Sequence, residues 1–159
     1  MSDKQLFVTQ ITDVNDSTSA HTDSLGDIRW VGNNAYKYVK FNSATANVAA
    51  TVGSLVVYHG ANGVDDNEVA KDYTDGSLVA GVLVSVPGDG QYCWIQIKGP
   101  STLTIAYTAV PVDGQPITKG NADGAATKAN EVDTAGAYKQ VIGHSIDVAN
   151  KKIVLDCPF

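Results

Sequence analysis

Every apolar run in this chain is short, and nearly every one is closed by Gly, Pro, Asn or Asp. Ile28-Arg29-Trp30-Val31, Ala35 to Phe41, Leu55-Val56-Val57-Tyr58, Leu78 to Val84, Tyr92 to Ile97, Tyr138 to Ile146 and Lys152-Ile153-Val154-Leu155 recur between turn residues. β-Branched and aromatic side chains suit a pleated, half-buried surface, and turn signals at such intervals define short strands. The pattern predicts an all-β chain, a small barrel or sandwich. Gly32-Asn33-Asn34 between the first two runs predicts a β-hairpin.

Helical alternatives are weak. Ala44 to Thr51 and Asn67 to Tyr73 are each about two turns long and lack an apolar stripe of period 3.6, so both read as connectors. Charged residues make up 18% of the chain, against roughly 25% in average globular proteins, which disfavours long salt-bridged surface helices.

The chain divides into an extended N-terminal arm, residues 1–25, and a single β domain, residues 26–159. The arm holds one alternating run, Leu6 to Ile11, followed by Asp13-Val14-Asn15-Asp16-Ser17-Thr18-Ser19, whose side chains compete with their own backbone for hydrogen bonds. Within the domain, residues 120–137 are small and polar and read as a long surface loop.

Two segments, 53–99 and 114–158, resemble each other. Gly53 opens and Gly60 closes one strand, as Gly114 and Gly120 do another, and Val79-Ala80-Gly81-Val82 matches Val141-Ile142-Gly143-His144. Each unit alone has too few strands to cover its apolar face, so the expectation is that the two bury that face against each other in one barrel.

Seventeen acidic residues against 11 basic ones leave a net charge of −6, which repels phosphate backbones and anionic lipid and argues against nucleic-acid and membrane partners. No apolar run approaches the roughly 20 residues of a membrane-spanning helix, and Met1-Ser2-Asp3-Lys4 lacks the character of a signal peptide. Synthesis in the cytoplasm is expected.

A search for chemistry finds none. His21, His59 and His144 lack the close spacing of metal motifs, no GxSxG elbow presents a nucleophile, and no Gly-rich loop precedes a helix. Asp65-Asp66-Asn67-Glu68 and Asp13-Val14-Asn15-Asp16 offer hard oxygen ligands, but neither has Ca²⁺-loop spacing. Cys93 and Cys157 lie in strand-like stretches far from any CxxC, which suggests two reduced buried thiols, with a disulfide between matching strands as the alternative. The reading is of a protein that is not an enzyme, with no cofactor and no metal.

The aromatic residues carry more information. Period-2 alternation puts Cys93, Ile95 and Ile97 on one face of a strand and Tyr92, Trp94, Gln96 and Lys98 on the other. It likewise groups Tyr36, Tyr38 and Lys40 opposite Val39 and Phe41. Tyr and Trp are enriched at protein interfaces, although half-exposed aromatics also serve as cross-strand pairs within one sheet. The candidate contact residues are Leu6, Phe7, Val8 and Ile11 in the arm, and Trp30, Tyr36, Tyr38, Tyr92 and Trp94 in the domain.

With these segments in view, the chain resembles the head-decoration (capsid cement) proteins of tailed phages. The resemblance lies in Leu25 to Gly32 leading into Ala35 to Lys40, in Val79-Ala80-Gly81-Val82 with Gly90 to Gly99, and in Val141-Ile142-Gly143. It implies a small β-barrel or β-tulip-like sandwich, the major capsid protein as partner, a homo-oligomer (trimer or dimer) where capsomers meet, and a place on the virion surface. It assigns no individual binding residue. A tail or fibre subunit and a carbohydrate-binding module are the alternatives, the latter with Trp30, Tyr92 and Trp94 as its aromatic trough.

Overall fold

The computed structural model describes residues 9–16, 23–43, 47–60, 62–74, 78–129 and 140–157. Eleven strands form one continuous sheet: β1 (Val14–Asn15), β2 (Ile28–Val31), β3 (Asn34–Phe41), β4 (Leu55–Tyr58), β5 (Glu68–Ala70), β6 (Val79–Leu83), β7 (Tyr92–Thr102), β8 (Pro116–Lys119), β9 (Ala126–Lys128), β10 (Gly143–Asp147) and β11 (Lys152–Asp156). The one described helix, α1 (Gly63–Asp66), is a single turn, stopped by Asn67 in the left-handed conformation at φ 52°.

The sheet closes on itself. Strands follow the order β3-β5-β4-β6-β7, and β3 pairs again with β7 from Lys40 opposite Tyr92 to Ala35 opposite Lys98, making a five-stranded barrel. Closure removes the open edges of these strands. Alternation along β3 turns Ala35, Lys37, Val39 and Phe41 inward, where they meet Leu55, Val57, Val69, Leu83, Cys93 and Ile95. Lys37 is the one charged side chain on that inner face of β3. Only 6% exposed, it donates a hydrogen bond from Nζ to the Tyr58 hydroxyl at 3.0 Å.

Beyond β7 the sheet continues β11-β10-β8-β9, which mirrors β7-β6-β4-β5. The registers match as well as the order. Val56 faces Gly81 and Ile117 faces Gly143; Val82 faces Gln96 and His144 faces Val154; Leu83 faces Ile95 and Ser145 faces Ile153. Hydrogen bonds outside the strands repeat too. Gly53 and Gly114 donate to the carbonyls of Leu83 and Ser145, each at 2.8 Å, and His59 and Gly120 donate to Glu68 and Ala125 at 2.9 and 2.8 Å. Gly53 and Gly114 share φ values of +76° and +82°, a backbone that glycine adopts without a Cβ clash. In the pairing of β7 with β11, Lys98 stands opposite Asp156, and their side chains form an ion pair of 3.0 Å.

The second half makes its own circuit. Residues following β7 return to β9, with Thr108 donating to Ala126 at 3.0 Å and Lys128 to Ala109 at 3.2 Å. The sequence pattern suggested one barrel closed jointly by both units. Instead β3 supplies the strand that closes the first, and β7, eleven residues long, is shared by both circuits.

Other elements also depart from expectation. The supposed connector Asn67 to Tyr73 contains β5, which pairs in parallel with β3 through Lys40–Glu68 and Phe41–Val69. The expected loop over 120–137 contains β9, while 130–137 lie outside the described residues. Ala44 to Thr51, by contrast, is irregular over 47–51 as a connector should be, and 44–46 lie outside the described residues. The Ile28–Val31 and Asn34–Phe41 hairpin is present in four consecutive antiparallel pairs.

Candidate interaction surface

The outward face of β3 and β7 brings Tyr38, Tyr92 and Trp94 together. The Tyr38 ring lies 6.3 Å from that of Tyr92, stacked, and 5.1 Å from that of Trp94, tilted, separations at which aromatic pairs attract beyond their buried area. This is the surface the alternation singled out as a contact face, and the chain itself covers it. Tyr38 and Trp94 are both 0% exposed.

The cover is a strap, residues 9–16. Val14 and Asn15 pair with Cys93 and Tyr92, adding β1 to β7. At the far end, Thr9 sits in a socket of three side chains. Its amide donates to Asp23 Oδ2 at 3.0 Å and its hydroxyl donates to the same oxygen. The Trp94 indole donates to the Thr9 hydroxyl oxygen at 2.8 Å, and Arg29 Nη1 donates to the Thr9 carbonyl at 2.8 Å. Between these ends, Asn15 donates to the Tyr38 hydroxyl at 3.2 Å, and Gln91 donates to Asp16. Burial pushes the Tyr38 phenol up to about 12, in spite of the Asn15 hydrogen bond that acts the other way.

Tyr38 and Trp94 are therefore packed within the chain, not displayed by it, because a strand pair wide enough to need a cover finds one in the segment that precedes it. Tyr92 is half-buried. Tyr36 is also half-buried and accepts a hydrogen bond from Asn34 Nδ2 at 3.3 Å. Ile11 lies half-buried in the strap turn, Trp30 is 59% exposed, and Leu6, Phe7 and Val8 lie outside the described residues. A trough built from Trp30, Tyr92 and Trp94 is not assembled, since Trp94 lies under the strap.

Thr9→Val tests the socket. It removes the donor to Asp23 and the acceptor of the indole N–H while keeping the side-chain shape, and so leaves a buried carboxylate short of a partner. A loss of about 1–3 kcal/mol is expected, read as a lower urea midpoint with unchanged slope.

The exposed apolar side chains lie elsewhere. Trp30 and Val31 end the β2 strand at 59% and 46% exposure. Val110, Val112 and Ile146, at 65%, 68% and 47%, belong to the second half, where the Ser145 hydroxyl donates to the Val112 carbonyl at 2.5 Å and holds the two segments together. This second group is what the sequence reading missed, because Val110-Pro111-Val112 falls in a stretch without alternation.

The acidic clusters are engaged in part, with Asp65 and Asp66 exposed on α1. Asp13 accepts from the Gln10 amide at 2.8 Å, and Glu68 accepts from Asn42 and lies 3.6 Å from Lys40. Among the described residues, no group of three or more His, Cys, Asp or Glu gathers as a metal site, and no helix is long and apolar enough to cross a membrane.

Cys93 and Cys157 are free and buried, and burial pushes both thiols up to about 12. Thiolate is the reactive form, so at pH 8 only on the order of one thiol in ten thousand is ionised. The expected result with a thiol-specific chromogenic reagent at pH 8 is almost no reaction in the native protein and two thiols per chain in denaturant. Rapid native labelling would show that the strands around them open.

A scan against protein-family models matches none, and searches of curated proteins and of solved structures return no match.

Proposed function

We propose that this chain is a structural binding protein that decorates the outside of a tailed-phage capsid and stabilises the shell by bridging capsid subunits. The observation that carries the reading is that large apolar side chains stand exposed around a closed β framework, among them Trp30, Val86, Val110 and Val112 at 59%, 59%, 65% and 68%. Where such side chains gather into a contiguous patch, they mark protein contact surfaces.

Three further points support it. The segments that carry the resemblance to decoration proteins fall on the β2–β3 hairpin, on strands β6 and β7, and at the start of β10. A closed β framework keeps its shape on binding, so the ordering cost of association is low. The many copies on a symmetric shell add avidity to modest single contacts. The major capsid protein is the proposed partner and the virion surface the proposed location.

Co-sedimentation of the purified protein with undecorated phage shells tests the reading. Saturable binding is expected, weakened about tenfold or more by Trp30→Ala if that side chain is a buried anchor of the contact. No pelleting with shells at any ratio would sink the proposal, and self-polymerisation into tubes would point to a tail subunit.

A further inference from the structure

The strap and the body it covers are two parts joined by a short link. The body's share of the contact comes from Asp23, Arg29 on β2, Tyr38 on β3 and the Gln91–Trp94 segment of and before β7. The strap carries its own turn, with Gln10 N–H on the Asp13 carboxylate at 2.8 Å and Asp13 N–H on the Gln10 carbonyl at 3.1 Å. The strap therefore has a turn of its own and meets the body through side chains of separate elements. Asp16 and Asp23 are joined by Ser17-Thr18-Ser19-Ala20-His21-Thr22, seven peptide steps that reach about 24 Å when extended.

We propose that the strap is exchangeable between copies: the socket of one chain takes residues 9–16 of a second chain, and the protein forms strap-swapped oligomers. Every contact that holds the strap in its own chain is available unchanged in the swapped form. Exchanging an identical element keeps the same contacts and is for that reason a low-cost route to dimers. An empty socket would uncover the buried rings of Tyr38 and Trp94, which the strap of a second chain covers as well as the chain's own does. This inference concerns copies of the chain alone and does not rest on the capsid reading.

The register supplies the test. Val14 stands directly opposite Cys93, so Val14→Cys in a Cys157→Ala background places two thiols in cross-strand position, where a disulfide can form. The protein is refolded over a range of concentrations, oxidised, and run on a non-reducing gel. Swapping predicts disulfide-linked dimers whose ratio to internally linked monomer rises about tenfold for each tenfold rise in concentration while dimers are the minor species, as mass action requires.

A second measurement needs no new thiol. The unmodified chain refolded at high concentration is compared by sedimentation velocity with a chain lacking residues 1–16. Dimers present in the first and absent in the second support exchange. Crosslinks confined to monomers at every concentration, or dimers that persist without the strap, overturn it.

Discussion

Replacing Gly143 by Ala is expected to cost about 4 kcal/mol, enough to lower Tm by roughly 10 °C in a chain of this size. Gly143 has φ +151°, and a Cβ there would drive into the Val154 carbonyl oxygen on the neighbouring strand. Neither obstacle can be relieved by moving a flexible side chain, because the blocking atoms are backbone. Gly81 occupies the matching place in the first half, where a Cβ would meet the Gln96 carbonyl at 2.5 Å. It has no unusual φ, so Gly81→Ala is expected to cost less than Gly143→Ala, about 1–3 kcal/mol for overpacking. Differential scanning calorimetry of the two variants reads the order directly. Equal and small losses would mean that the strands are not as close as the registers place them.

The second large effect separates the two tryptophans. Trp94→Ala should remove about 4 kcal/mol, because it empties a fully buried site beside Tyr38 and also takes away the donor to Thr9. Trp94→Phe keeps most of the packing and loses chiefly the indole hydrogen bond, for about 1–2 kcal/mol. Trp30→Ala, at a side chain 59% exposed, should stay within about 0.5 kcal/mol while weakening attachment to shells. Chemical denaturation followed by circular dichroism gives all three values. A Trp30 loss comparable to that of Trp94 would reverse the assignment of one ring to the core and the other to the surface.

Much of the fold was legible along the chain, for a physical reason. Where strands are four residues or more and their side chains alternate or run apolar, as in Asn34–Phe41 and Tyr92 to Ile97, burial imposes a period that the residues report. Gly81 and Gly143 stood out only as matching positions of the repeat, and the close approach of a neighbouring backbone at each is a tertiary fact. β5 and β9 were not legible. They are three residues each, Glu-Val-Ala and Ala-Thr-Lys, and are strands because neighbours on both sides hold them, which is a tertiary fact.

The alternation grouped Tyr38 with Tyr36 and Trp94 with Tyr92, as the strands do. What covers that face could not be seen from periodicity. A strap of polar residues, Thr9 to Asp16, looks like solvated chain until the socket formed by Asp23, Arg29 and Trp94 is in place, and those three residues are brought together only by folding. The exposed valines of the second half were silent for the opposite reason, since a lone Val-Pro-Val in a loop carries no periodic signal.

The capsid role is tested most directly by heating shells with and without the protein. Undecorated phage shells, mixed with increasing amounts of the full chain, are followed by calorimetry through the shell transition. The proposed function predicts that the transition moves upward with occupancy and stops moving at a fixed number of chains per shell, because a ligand bound only to the intact form stabilises it by mass action. A shell transition that stays in place while the protein is bound, or that never responds to it, would contradict the account.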